Sequence, residues 1–240
     1  MSEIVRHVDQ GLVCCDPEWE AAYRRFETPE EEVQKFLKRF GWMNLSSLPR
    51  QANIAEIFCG RGNGLVALSR LGFQRIQGFD LSEELLRQYS GPARLHLADC
   101  RSLPVPDQTF DAIVVQGGLH HLPTLPDDLA NVTAEVRRVL KPEGRFYVVE
   151  PWMTPFLAVV NQIVRIPIVR RCWGKADALA EMNYRERKTF NRWLSLPASI
   201  LKTLEASFET ERRSISLGKL KWIGRPRHSA IASLHDDRRR

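Results

Sequence analysis

Between residues 54 and 80 the chain reads Ile-Ala-Glu-Ile-Phe-Cys-Gly-Arg-Gly-Asn-Gly-Leu, passes through a short helical pattern, and closes a second apolar run at Gly-Phe-Asp-Leu, with the acid at Asp80. An apolar run that ends in Gly60, Gly62 and Gly64, then a helix, then a strand with a terminal carboxylate, spells a βαβ unit shaped to hold a nucleoside. Glycine lets the backbone turn sharply and approach a ligand with no Cβ in the way. A carboxylate at the tip of the next strand accepts from both ribose hydroxyls. Few folds other than an open α/β sheet use this arrangement.

The spacing narrows the nucleoside. A dinucleotide fingerprint reads Gly-x-Gly-x-x-Gly, whereas here Gly60 begins Gly-x-Gly-x-Gly and Phe58 precedes it, a poor match to NAD binding. Further terminal acids and turns follow in order. After Asp80 and Leu81 come a helix from Ser82 to about Tyr89, an apolar run Ala93–Ala98, and the pair Asp99-Cys100. Then Leu103-Pro-Val-Pro-Asp-Gln-Thr-Phe-Asp-Ala-Ile-Val-Val-Gln-Gly-Gly-Leu-His-His-Leu reads as a fourth strand and the loop after it, and Glu135 through Glu150 as a helix, a turn and a fifth strand.

Taken together, residues 50 to 151 resemble the class I methyltransferases that use S-adenosylmethionine (SAM). The resemblance implies a Rossmann-like α/β fold: a seven-stranded, mostly parallel sheet with helices on both faces and a C-terminal antiparallel hairpin. It implies that Glu56 supports the glycine loop and reaches the methionine ammonium, although Phe58 stands where the first glycine of the motif usually falls. It also implies that Cys59, Gly60 and Gly62 pass close to the cofactor, that Asp80 and Leu81 meet the ribose, that Asp99 and Cys100 read the adenine edge, and that Gln116 lines the pocket. Cys59 and Cys100 serve there as small buried side chains rather than nucleophiles. His120 and His121 are candidates for a base that removes a proton from the acceptor, as is Glu150.

Composition limits the alternatives. At 240 residues the chain suits one α/β domain with additions, large enough to bury a core without disulfides. Its five cysteines are odd in number and contain no Cys-x-x-Cys pair, so neither a disulfide frame nor a metal site is expected. The first eleven residues lack an apolar stretch of the secretory kind, which suits a cytoplasmic setting. Charge is divided unevenly: residues 1–150 carry 17 Lys and Arg against 21 Asp and Glu, whereas residues 151–240 carry 18 against 8. Such a basic third attracts an anionic substrate, a membrane surface or a nucleic acid.

Helical patterns start at Pro17 and again at Thr28-Pro-Glu-Glu31, a capping box with proline at the first helical position that runs to about Phe40. Strand-like runs Phe208–Ser216 and Lys219–Arg225 meet at Leu217-Gly218, after a helix over Pro197–Ser207. The organisation expected is one domain: a helical cap at 17–41, a SAM-binding core at 50–151, a lid at 152–187, a helix and hairpin at 188–225 and a flexible tail at 226–240. The lid, with Trp152, Phe156, Leu157, Ile163 and Ile166 flanked by Arg165, Arg170, Arg171 and Lys175, suits an apolar acceptor or peripheral contact with an anionic membrane through 152–171. The function expected is SAM-dependent methylation of a small or lipid-like acceptor, at oxygen before nitrogen or carbon. An RNA or protein methyltransferase is a rival, although no Asn-Pro-Pro-Tyr-like motif follows the fourth strand; a non-catalytic SAM-fold partner protein is another.

Overall fold

The computed structural model describes residues 3–8 and 16–227. Cys14, Cys15 and nearly all of the expected tail lie outside the described residues. The first strand, β1 (Ile4–Arg6), precedes two helices, α1 (Pro17–Phe26) and α2 (Pro29–Met43). The capping box of α2 is present: Thr28 Oγ1 accepts from Glu31 N at 3.3 Å while Glu31 Oε2 accepts from Thr28 N at 2.9 Å. The helix runs through Gly41 to a left-handed Asn44, one turn beyond the stop expected from sequence.

Alternating units follow: β2 (Asn53–Ile57), α3 (Asn63–Arg70), β3 (Arg75–Asp80), α4 (Glu83–Leu86), β4 (Arg94–Leu97), β5 (Phe110–Gln116), α5 (Asp127–Val139) and β6 (Leu140–Pro151). The helix expected at 82–89 is a single turn, because Tyr89 leaves it. Its ring packs under Gly62, its hydroxyl lies beside Gly91, and that hydroxyl accepts from Ala93 N at 3.1 Å. The turn expected before the fifth strand is a break in register, where pairing with β5 jumps from Phe110–Leu140 to Ala112–Arg145. Four helices come next, α6 (Pro155–Ile163), α7 (Pro167–Cys172), α8 (Gly174–Arg185) and α9 (Arg187–Ser195), then α10 (Pro197–Ser207) and the hairpin β7 (Phe208–Ser216) and β8 (Lys219–Pro226). Pro155 and Pro167 each open a helix, where a missing N–H costs nothing.

The sheet order is β1-β4-β3-β2-β5-β6-β8-β7. Seven strands have the expected arrangement, with β8 antiparallel between β6 and β7; an eighth, β1, joins the edge parallel to β4. Both faces are covered, as strand alternation requires. Ile113 and Val115 of β5, with Phe146 and Val148 of β6, pack with Val132 and Val136 of α5 and Trp193 of α9. Ala112, Val114, Tyr147 and Val149 face the other way, toward Phe36 and Phe40 of α2 and Leu65 and Leu68 of α3. Crossovers of this kind bring the carboxyl ends of β2, β3, β4 and β5 to one edge. Among the described residues, no helix is long and apolar enough to cross a membrane.

Candidate cofactor and acceptor site

The tips of β2 and β3 are fastened to each other through one carboxylate. Asp80 Oδ2 accepts from Gly60 N at 2.7 Å and Oδ1 from Ser82 N at 2.8 Å, so the strand-end acid shapes the glycine loop as well as facing it. Burial raises the Asp80 carboxyl against these amides, and the nearby Glu20 raises it further. Gly62 adopts φ +79°, and a Cβ there would lie 2.4 Å from the Tyr89 ring, so glycine is required twice over. Cys59 and Cys100 are buried, and burial pushes both thiols up, which suits inert packing.

Glu56 shares its strand face with Ile54 and reaches α3, where its carboxylate lies against Gly64 in the space a Cβ would take. Gln116 Nε2 donates to Glu56 Oε1 at 3.4 Å, and Arg39 Nη1 donates to Gln116 Oε1 at 3.3 Å. Glu56 Oε2 is buried with no hydrogen-bond partner, as is Glu20 Oε1. Burial pushes the Glu56 carboxyl up to about 8; the Gln116 amide opposes this, and the charges of Glu32 and Asp80 add to it. At the tip of β4, Asp99 is gripped by Arg101 through Nε at 3.0 Å and Nη2 at 2.6 Å; although burial opposes its charge, Arg101 holds the carboxyl below its usual value.

Phe58 takes a left-handed φ of +54°. Its side chain lies on Gly118, where a Cβ would meet Phe58 Cβ and Cγ at 2.4 Å, and it packs with the core that contains Leu119.

The turn after β5 carries the histidines. Glu150, at the end of β6, accepts from Gly118 N and Leu119 N at 2.9 Å each through Oε1, and its Oε2 lies 2.8 Å from His120 Nδ1. Burial works against a charge on His120, but Glu150 and Glu186 outweigh it and raise the imidazole to about 9. Burial and the neighbouring His120 lower His121 to about 4.

Several residues of this region escape a reading of the sequence. Arg61 of the glycine loop reaches Glu32 of α2 at 3.1 Å, donates to Glu27 O at 3.1 Å and stacks on Tyr23 of α1. Asn63 Nδ2 donates to Glu32 Oε2 at 2.6 Å. These contacts hold the helix pair α1–α2 down over the loop. Lys219 is half-buried at the start of β8, and burial together with Arg39 and Lys35 lowers its amine to about 8. Glu186, between α8 and α9, accepts from Trp19 Nε1 at 3.0 Å and so ties α1 to the insertion. A surface cleft of about 850 Å³ behind the loop includes Arg61, Asn63 and Tyr89 but none of Asp80, Asp99 or Gln116.

The insertion departs from the apolar lid expected. Trp152 belongs to the core beside Trp193, and Leu157 packs inward against Gly218. Phe156 and Ile163 of α6, and Ile166 just before α7, are exposed instead. Arg170 and Lys175 are paired with Asp177 and Glu31.

The residues present fit the cofactor that the fold implies. SAM carries an ammonium and a sulfonium; the sheet edge offers the buried Glu56 and the half-buried Asp80, and α1 adds the buried Glu20, with one oxygen each of Glu20 and Glu56 unpartnered. Comparison with known proteins agrees. The model of a methyltransferase-domain family matches residues 55–148. A demethylmenaquinone methyltransferase of Bacillus licheniformis is 31% identical over 117 residues, 45% of this chain and 48% of that one. The 27-O-demethylrifamycin SV methyltransferase of Amycolatopsis mediterranei is 28% identical over 129 residues, 49% and 44% of the two chains. The chain thus spans about half the length of these curated relatives. A crystal structure of the PH0226 protein from Pyrococcus horikoshii shares the fold with a TM-score of 0.67 at 17% identity, covering 89% of this chain and all of that one. Residues 55–148 thus form a SAM-dependent methyltransferase domain, whose cofactor is S-adenosylmethionine.

Proposed function

We propose that this chain methylates a small, lipid-like acceptor at oxygen, with SAM as donor. The observation that carries the reading is the pair of carboxylates at the strand tips, the buried Glu56 with its Oε2 unpartnered and the half-buried Asp80 that shapes the glycine loop, which together suit a cationic nucleoside cofactor. Bound there, SAM supplies an activated methyl group. Glu56 Oε2 receives the ammonium, Asp80 the ribose hydroxyls, and Asp99, steadied by Arg101, the adenine edge. The helix pair α1–α2 keeps water from the site. The acceptor enters between the β5 turn and the insertion, and alignment of its oxygen supplies much of the rate.

Asp80→Ala is expected to weaken SAM binding by about 1.5–3 kcal/mol, the scale of a charge-assisted hydrogen bond. Calorimetry finding equal affinity for the two proteins overturns the assignment. Incubation of a cell extract with methyl-labelled SAM and the protein, followed by mass spectrometry, identifies the acceptor; label on RNA or protein and on no small molecule would favour the rival activity.

A lipid-like acceptor suits the outside of the insertion. Met153, Phe156, Val159, Ile163, Ile166, Ile168 and Trp173 are between 40% and 62% exposed, and Arg165 and Arg171 beside them are exposed as well. Seven large apolar side chains on one short segment, next to cations, suit the interface of an anionic bilayer. Phe156→Glu with Ile163→Glu is expected to cut sedimentation with phosphatidylglycerol vesicles at least about tenfold. Binding that is unchanged, or insensitive to salt, counts against the membrane contact.

A further inference from the structure

The meeting point of the β5 turn, the insertion and α1 contains a second chemical feature. His120 Nε2 lies 3.7 Å and His121 Nδ1 lies 3.8 Å from Glu186 Oε2. One ligand atom from each of the three residues falls within 4.8 Å of the others. Separations of 3.7 and 3.8 Å are too long for hydrogen bonds. They are close to what one small cation imposes: ligands at 2.0–2.2 Å in tetrahedral geometry stand about 3.4 Å apart.

We propose that His120, His121 and Glu186 form a three-ligand site for a divalent transition cation of the zinc class, with at least one coordination position left open. Reading the cysteines alone gives no reason to expect a metal; two imidazoles and one carboxylate do, because that donor set suits zinc and its neighbours better than magnesium or calcium.

The surroundings are those of a prepared ligand set. A metal-binding histidine usually donates its second ring N–H to a carboxylate, which fixes the tautomer and the ring plane. His120 does this through Nδ1 to Glu150 Oε2 at 2.8 Å, and Glu150 is itself held by the Gly118 and Leu119 amides. That leaves Nε2 facing Glu186. Trp19 donates to Glu186 Oε2 at 3.0 Å, which steadies the carboxylate from the side of α1. His120 is buried, while His121 and Glu186 are half-buried, so an ion can reach the site from one side.

Three protein ligands with an open position is the pattern of catalytic rather than structural zinc. On the proposed function, an acceptor oxygen occupies the open position; the site itself does not depend on methyl transfer. The two claims therefore fail separately.

The test uses the full chain, stripped with a chelator and dialysed. Titration with Zn²⁺ by calorimetry is expected to show one equivalent bound, and Co²⁺ to develop the intense visible absorption of a four- or five-coordinate ion. His121→Ala and Glu186→Gln are each expected to weaken Zn²⁺ binding at least ~100-fold, while SAM affinity stays within about twofold. His121 is half-buried and holds no strand, so its variant reports even where Glu186→Gln fails to fold. The proposal is overturned if Co²⁺ shows only the faint spectrum of an octahedral surface ion, or if either variant binds Zn²⁺ as well as the parent. Loss of SAM binding with Zn²⁺ binding intact would sink the cofactor assignment and leave the metal site standing.

Discussion

Replacing Arg61 with alanine is expected to cost about 3–5 kcal/mol of stability, and to do so by loosening the helix pair before the sheet. Arg61 and Glu32 are both nearly closed to solvent, with side chains 8% and 4% exposed. Glu32 collects the guanidinium, the Asn63 amide and the Tyr23 hydroxyl on its two oxygens. Removing the arginine leaves a buried carboxylate without its main counter-charge, and strips Glu27 O of a donor and Tyr23 of its stacked cation. Breaking one half of a buried pair is the costly event; replacing both halves is much less so. Arg61→Ala with Glu32→Gln should therefore recover a large part of the loss. Denaturant unfolding measures the cost, and amide exchange locates it: residues 17–43 should lose protection while β2, β5 and β6 keep theirs. A cost below about 1 kcal/mol, or exchange that rises evenly across the chain, would show that the pair does not hold the helices down.

Glu56→Gln is expected to stabilise the ligand-free protein at alkaline pH while weakening its grip on SAM. In the folded chain burial raises this carboxyl from 4.5 to about 8. The sign follows from where each state holds the proton. Between pH 4.5 and 8 the folded form keeps it and the unfolded form releases it, so the contribution is full below the lower value and lost as pH rises through the upper one. Glutamine resembles the protonated form and does not titrate. The stability gap between variant and parent should be near zero at pH 4.5 and grow to the order of 2–5 kcal/mol by pH 8 to 9. Unfolding curves at the two ends of that range check it, and parallel behaviour of the two proteins rules it out. SAM affinity of the parent should rise with pH through the same interval, since the ammonium favours the ionised carboxylate, and that of the variant should stay lower and flat. Stability given up for binding is the usual signature of a functional carboxyl.

How far this could be read in advance depended on the range of each interaction. The βαβ order, the capping box at Thr28 and the hairpin around Leu217-Gly218 rest on neighbours in sequence, so local periodicity and turn chemistry expose them. Helix α4 was overestimated because apolar spacing in 82–89 looks helical, and nothing local says that Tyr89 must fill the space under Gly62. Strand β1 is three residues long, too short to carry a pattern. Candidate residues at the strand tips, from Glu56 to Gln116, were legible because the fold brings strand ends together by rule. Arg61, Lys219 and Glu186 were not. Glu186 sits in the run Tyr-Arg-Glu-Arg-Lys, which reads as a solvated surface, and only the path of the insertion carries it to the histidines. The exposed face of α6 was visible as apolar residues, but the side of the helix they would occupy was not.

Position 58 shows how a motif survives the loss of a letter. The turn at the end of β2 calls for a left-handed residue, and a phenylalanine has adopted that shape despite its bulk. Room for the ring comes from across the sheet edge, where residue 118 carries no side chain. The absent glycine has in effect changed address. Neither position is free to vary alone: any side chain at 118 evicts the ring, and a glycine at 58 leaves a hole over the β5 turn. Inheritance at these two sites is therefore expected to be joint, and a signature that scores them one at a time undervalues chains of this kind.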